Sequence, residues 1–285
     1  MVILSVILFR EMRTLTNALI VSLATADLLV AIVVQPISLQ HEVMGEWTLG
    51  PILCDFWITA DVFCCSASIL NIVVIAVDRY WLITKNVHYT HNTTFSRRRV
   101  CAVMLFFAWS VSALISSLPL LGWKAGNERD DPSLCIISQA LGYTILSTFG
   151  SFWFPLVVIL IVYFKIFKVA QRRARTRAKQ RAVHPFPRMM SQTHRTRTRS
   201  SARTLGLIIG GFVFCWLPFF MIATIVPMCR HCNVPPVCFS VVLWLGYSNS
   251  LLNPAIYAIW DKNFRRSFKR LLVCDVRWTS IFYNW

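Results

Sequence analysis

Acidic side chains are scarce in this chain. Asp and Glu number 12 against 29 Lys and Arg in 285 residues, and charged residues of both signs make up only 14% while hydrophobic ones make up 56%. A soluble domain carries about a quarter of its residues charged, so this composition argues against one. No internal repeat is visible, which argues against a transporter built from duplicated halves. No small-residue cleavage site follows the opening apolar run, and its charges come after the run, the reverse of a signal peptide.

Long apolar runs are present instead. They cover Asn17 to Leu39, Pro51 to Leu82, Val100 to Leu121, Ala140 to Val169, Thr204 to Met228 and Pro235 to Trp260. Each exceeds the roughly 20 residues that a bilayer crossing needs. The first segment, "MVILSVILF" at 1–9, has half that length and is followed by the charged turn "REMRT". It reads as the inner half of a further spanning helix. The expected architecture is an all-α membrane protein, a seven-transmembrane helix bundle with its first helix truncated, forming one domain over 1–285. A short amphipathic interfacial helix at 261–272 would follow the seventh.

Basic residues set the orientation, because short loops rich in Lys and Arg stay cytoplasmic. Arg10, Arg13, Lys85, Arg97 to Arg99, the run from Arg172 to Arg203, and Lys262 to Arg270 all fall on one side. The opposite loops hold Glu42, Glu46, Lys124, Glu128, Arg129, Asp130, Asp131 and Arg230 and are close to neutral. A plasma-membrane protein with an extracellular amino terminus follows. The loop at 171–203 holds 11 Lys or Arg and no acid, which suits either anionic lipid or a docking partner. The net charge of +17 is spread over membrane-flanking loops, so nucleic acid is a poor fit. The sequon at Asn92 lies on the cytoplasmic side, where glycosylation does not occur.

The cysteines divide by location. Cys64, Cys65, Cys101, Cys215 and Cys238 sit in spans as small packing residues. Cys54, at the outer start of the third helix, and Cys135, in the outer loop after the fourth, face an oxidising compartment and are expected to pair. Cys229 and Cys232 in "CRHC" resemble half a zinc site, but no second ligand pair lies on that side; a local disulfide or free thiols remain open. Cys274 follows the basic amphipathic stretch "DKNFRRSFKRLL", where a palmitoyl group would anchor an interfacial helix.

A charge in the bilayer costs several kcal/mol, roughly, unless compensated, so each deep carboxylate is a functional hypothesis. There are two, Asp27 and Asp61. Helical spacing puts Cys65 and Ser68 on the face of Asp61 and lets Ser68 approach Asp27. Asn249, Ser250 and Asn253 could complete a hard-cation site or a water cluster there, although packing polarity alone would also account for Asp27. Asp61 lies seven residues below Cys54, about 10 Å into the membrane and within reach of an outside ligand. Ser147 and Ser151 at i and i+4, Trp216 with Phe219 and Phe220, and Trp244 with Tyr247 offer facing surfaces. A small cationic aromatic fits: its ammonium on Asp61, its ring on Phe219, Phe220 and Trp216, and its polar ring group on Ser147, Thr148 or Ser151.

Along nearly the whole chain these residues fall in motifs. They are "LATADLLVA" in the second helix, Asp61 and "DRY" in the third, "SFWFP" in the fifth, "FVFCWLPFF" in the sixth and "WLGYSNSLLNPAIY" in the seventh. The chain resembles a rhodopsin-like (class A) G-protein-coupled receptor of the biogenic-amine group. Through "DRYWLIT", "DPSLCIISQALGYTILSTFG" and "YSNSLLNPAIYA" it is most similar to type 1 serotonin receptors.

That resemblance implies a receptor, not an enzyme, that binds a small amine outside and drives nucleotide exchange on a heterotrimeric G protein of the inhibitory type. Arrestin, a receptor kinase and membrane lipid are further implied partners. Asp61 would be the amine counter-ion, with Val62, Cys65 and Tyr247 beside it. Asp27, Ser68, Asn249, Ser250 and Asn253 would form a pocket for an allosteric sodium ion, with no other cofactor. Ile69, Pro155 and Phe212 would repack beneath the ligand. Asp78, Arg79 and Tyr80, with Tyr163, Pro254 and Tyr257, would form the inner switch, Asp78 pairing with its neighbour Arg79.

Several positions depart from that pattern. Asn86 replaces a usual proline, Thr198 stands where a glutamate often meets the DRY arginine, and the third inner loop is short for the type 1 group. Ser151 is a serine where many type 1 serotonin receptors have alanine, which keeps receptors for dopamine, octopamine, tyramine or another amine in view. A transporter or a non-signalling decoy is a more remote alternative.

Overall fold

The computed structural model describes residues 1–84, 91–123, 135–183, 191–229 and 234–273, with the backbone alone at 83–84, 91–95, 173–174, 177–183 and 191–205. Asn86, Cys232, Cys274 and the side chain of Thr198 lie outside the described residues. Those residues are almost wholly helical, and no strand occurs among them.

Helix α1 is Val2–Leu8, and α2 runs over Leu15–Met44. Thr14 caps α2 by accepting from the Asn17 N–H, which satisfies one of the orphan donors of the first turn. Within α2 a wider π turn occupies Val30–Val34, two residues ahead of Pro36. Gly45, at φ 74°, ends the helix in the left-handed conformation that only glycine takes without strain. Next come α3, Gly50–Thr84, and α4, His91–Ser117.

Helix α5 covers 141–183 and also contains a π turn, Phe149–Trp153, two residues ahead of Pro155. The two π turns share a cause: proline has no N–H, and its ring crowds the preceding turn, which a widened turn relieves. Then α6, Ser191–Ile225, carries Pro218 internally, and α7, Pro236–Trp260, carries Pro254. Helix α8, Lys262–Leu272, is capped by Asp261, whose carboxylate accepts from the Asn263 and Phe264 N–H groups.

Among the described residues five helices are long and apolar enough to cross a membrane: Leu15–Met44, Gly50–Leu82, Ser96–Ser117, Leu141–Arg172 and Gly206–Met228. The sequence suggests six full spans. The sixth, α7, has 25 residues, about 37 Å of helix. It is less apolar because Ser248, Asn249, Ser250 and Asn253 interrupt it, and Asn249 and Asn253 are buried inside the bundle. Helix α3 lies at the centre, packed on α2, α4, α5 and α6. Leu19, Leu23, Ile69, Ile72, Phe152, Ile159 and Phe212 are wholly buried around it, while Ile32, Phe106, Phe107 and Phe154 point outward, as lipid-facing side chains do.

The expected disulfide is formed. Cys54 and Cys135 tie the outer end of α3 to the strap entering α5, with their Cα atoms 5.8 Å apart. Next to it Trp47 stacks on Trp57 at 5.4 Å, and His41 meets both rings edge-on. Cys229 is disulfide-bonded. At the opposite end of the bundle from the disulfide, Phe264 and Phe268 of α8 are buried, Phe264 lying 5.5 Å from the Tyr257 ring. Arg270 pairs with Glu11 at 2.7 Å, joining α8 to the turn after α1.

Candidate ligand-binding site

Asp61 is buried on α3, 6% exposed. Cys65, one turn on, donates its thiol to Asp61 Oδ1 at 3.3 Å, a weak partner for a carboxylate. No cationic side chain pairs with Asp61 among the described residues. Three buried polar atoms on neighbouring helices lack hydrogen-bond partners: Tyr247 Oη of α7, Trp216 Nε1 of α6 and Tyr143 Oη of α5. Tyr247 lies against Asp61 and Ser38 without reaching good hydrogen-bond geometry to either. Buried polar groups are nearly always satisfied, so the two tyrosine hydroxyls near Asp61 without partners among the described residues make this a candidate site for a polar molecule.

Aromatic rings complete the wall. Trp216 sits 5.9 Å from Phe219 and 5.8 Å from Phe220, those two meet edge-on at 5.2 Å, and Phe152 stacks on Phe220 at 4.4 Å. Trp244 meets Tyr247 edge-on at 5.7 Å. Val62 is half-buried beside Asp61. Phe152 and Tyr143 escape a reading by residue spacing, since an apolar run does not reveal which of its aromatics turn inward.

The α5 hydroxyls do not act as one pair. Ser147 is half-buried and donates to the Thr144 carbonyl at 3.3 Å, and Thr148 donates to the same carbonyl at 2.7 Å. Ser151, inside the π turn, instead bonds Ser66 of α3 at 2.7 Å. The extra residue in that turn rotates the following face by about 100° relative to an unbroken helix.

Deeper, Asp27 of α2 accepts from Ser68 Oγ of α3 at 2.9 Å and from Asn253 Nδ2 of α7 at 2.9 Å. The spacing-based approach of Ser68 to Asp27 is realised. Ser250 is half-buried close by, and Asn249 Nδ2 is buried without a partner. Ile69 and Phe212 join Trp216 and Phe220 in one continuous core, and Pro155 is buried beside it.

At the inner end one expectation is corrected. Asp78 does not pair with Arg79; it pairs with Arg97 of α4, at 2.6 Å from Nη2 and 2.8 Å from Nε. The two-point contact from Arg97 on the neighbouring helix is a stronger partner for the carboxylate than a side chain one position along the same helix. Thr16 of α2 donates to the other Asp78 oxygen at 3.1 Å. Arg79 makes no ion pair among the described residues and lies in the field of Asp78, Tyr257 and Asp261. Tyr80 is half-buried, Tyr163 is 37% exposed with its hydroxyl over Gly206 of α6, and Tyr257 is buried, three residues beyond Pro254.

A membrane-spanning helix bundle holding a buried carboxylate, Asp61, with no cationic partner among the described residues suits a transmembrane receptor. Residues 1–257 match the family of 7 transmembrane receptors (rhodopsin family), and the chain belongs to that family. It is therefore a multi-pass membrane receptor and not an enzyme. Over 96% of its length it is 35% identical to the 5-hydroxytryptamine receptor 1A of Xenopus laevis, covering 86% of that protein. Over 95% of its length it is 40% identical to the 5-hydroxytryptamine receptor 5B of Mus musculus, covering 80%. A probable G-protein coupled receptor, No18, of Amphibalanus amphitrite is 37% identical over 97% of the chain, which covers 86% of it.

Proposed function

We propose that the protein is a receptor for a small aromatic amine, serotonin first, that signals through a heterotrimeric G protein of the inhibitory type. The observation that carries this reading is the buried Asp61, which has no cationic partner among the described residues, has Tyr247 against it, and lies on the helix packed against the one that carries the Trp216, Phe219 and Phe220 cluster. An ammonium would pair with Asp61, and its ring would lie on the aromatic wall. The similarity to two 5-hydroxytryptamine receptors supports serotonin. An extracellular amino terminus, with arrestin, a receptor kinase and anionic lipid meeting the basic inner surface, belongs to the same reading. The test is a panel of serotonin, dopamine, octopamine, tyramine and histamine, read by GTP exchange on a co-expressed G protein. Uptake of labelled amine without exchange would favour a transporter instead.

Signal transfer would be a population shift between two helix packings. Asp61 and Arg79 lie 18 residues apart on one helix, about 27 Å, so α3 links the outer site to the inner face. Trp216 couples α6 to α7 because its ring packs on Gly246, where an added Cβ would come within 2.7 Å of it. Gly246→Ala should displace the indole at a cost of about 1–3 kcal/mol, the usual penalty of overpacking. The expected result is a five- to hundredfold change, roughly, in agonist affinity or basal exchange; unchanged values for both would show that the ring relaxes freely.

A sodium ion would be held by Asp27, Ser68, Asn249, Ser250 and Asn253, oxygen-bearing side chains gathered at one carboxylate. The ion would supply positive charge to the buried Asp27.

The α5 hydroxyls separate ligands. Ser147→Ala should weaken hydroxylated amines relative to their deoxy analogues by about 0.5–1.5 kcal/mol, one neutral hydrogen bond. Because Ser151 is bonded to Ser66, Ser151→Ala should weaken serotonin and dopamine alike. A loss confined to dopamine in competition binding would mean that Ser151 leaves Ser66 to meet the second ring hydroxyl.

A further inference from the structure

The inner ends of α2, α3 and α4 meet at one buried carboxylate. Asp78 is 1% exposed. Its Oδ1 accepts from Arg97 Nε at 2.8 Å, from Arg97 Nη2 at 2.6 Å and from Cys101 Sγ at 3.7 Å, and its Oδ2 accepts from Thr16 Oγ1 at 3.1 Å. Arg97 Nη2 also donates to Thr16 Oγ1 at 3.1 Å, closing a ring through three side chains on three helices. The arginine side chain is itself 17% exposed, so this is a largely desolvated, charge-assisted pair and not a surface contact. Arg79, one residue along α3, has no such partner among the described residues.

We propose that Arg97 is a positioning residue for the inner switch: by holding Asp78 on α4, it withholds that carboxylate from Arg79 and leaves the Arg79 guanidinium available to a cytoplasmic partner. Both arginines draw on one acidic group. The neighbouring guanidiniums also repel each other, which favours the arrangement in which only one of them contacts Asp78. Removing Arg97 leaves a buried carboxylate that already interacts electrostatically with Arg79, and the pair that the clamp withholds can then form. The inference rests on the G-protein reading above for its functional consequence and on the geometry alone for the clamp.

The experiment uses the full chain in membranes at matched surface expression, with basal GTP exchange and mass-spectrometric mapping of Cys101 alkylation by N-ethylmaleimide. Arg97→Gln should lower basal exchange roughly threefold, the scale of the Asp78–Arg79 pair that then forms at the half-buried Arg79, and Arg97→Lys should keep most of the parent's exchange. Thr16→Val, which removes the bridging hydroxyl, should act in the same direction and less strongly. The sharper signature is epistasis: Asp78→Asn should raise exchange by a larger factor in the Arg97→Gln background than in the presence of Arg97. Cys101, buried beneath the pair, should be alkylated faster in Arg97→Gln than in the parent. Equal factors for Asp78→Asn in both backgrounds, with amine-stimulated exchange intact, would overturn the proposal. Faster Cys101 alkylation with no amine-stimulated exchange in any version would leave the clamp standing and remove the G-protein reading instead. Unchanged alkylation would show that Arg97 does not hold the cluster closed.

Discussion

Asp61→Asn should lower the affinity for amine agonists by two to three and a half decades while leaving the protein folded and at the cell surface. Breaking one member of a buried charge pair costs about 3–5 kcal/mol, because the other charge is left uncompensated, and about 1.4 kcal/mol is a decade in dissociation constant. The fold should tolerate the change, since among the described residues Asp61 has no cationic partner and accepts a hydrogen bond from the Cys65 thiol. The asparagine side chain keeps an acceptor oxygen for that thiol. Saturation binding on membranes with antibody-matched receptor content measures the effect. An affinity within threefold of the parent, in a well-expressed variant, would remove Asp61 from the ligand site and with it the amine reading. Neutral ligands that fill only the aromatic wall should lose far less, which separates loss of the ion pair from general damage.

The second large effect concerns the outer tether. Cys54 and Cys135 are 81 residues apart in sequence, and closing a loop of that size removes chain entropy worth about 4.5 kcal/mol in the chain-entropy model. In a membrane the intervening helices stay inserted after tertiary packing is lost, so the gain is smaller, about 2–4 kcal/mol. Cys54→Ser, Cys135→Ser and the double variant should all lose thermal stability of ligand binding to the same extent, because either single change abolishes the one crosslink. The measurement is the half-life of binding in detergent at a series of temperatures. A double variant that loses the sum of the two singles would mean that the cysteines act as separate packing residues. The functional consequence is local: the strap held by Cys135 leads directly into Tyr143, whose hydroxyl belongs to the cluster around Asp61.

These expectations differ in how directly the residues declare them. The two deep carboxylates stand out because charge in an apolar helix is costly, and Ser68 could be assigned to Asp27 because both lie on regular helical stretches where counting by turns works. Arg97 could not be found in this way. It lies in a basic run, 19 residues from Asp78, and nothing in the run distinguishes it from Arg98 or Arg99; only the rotation and offset of α4 against α3 choose it. Ser151 shows the same limit within one helix: counting by fours pairs it with Ser147, but the π turn at Phe149–Trp153 carries it to Ser66.

The sequence by itself determined that this chain is a membrane bundle, which side of it is basic, where its helices run, which two cysteines pair and which two carboxylates lie deep within its spans. Each of these follows from the desolvation of charge or from a helical period, and both act over a single segment. The tertiary structure decided the partners: Asp78 with Arg97 and not Arg79, Ser151 with Ser66, the Trp216 ring against Gly246, and Tyr143 and Phe152 turned toward the site. Such pairings depend on the register of one helix against the next, and a single added residue per turn or a shift by one position moves a side chain by about 100°. No local pattern carries that register, because only the simultaneous packing of all the helices sets it.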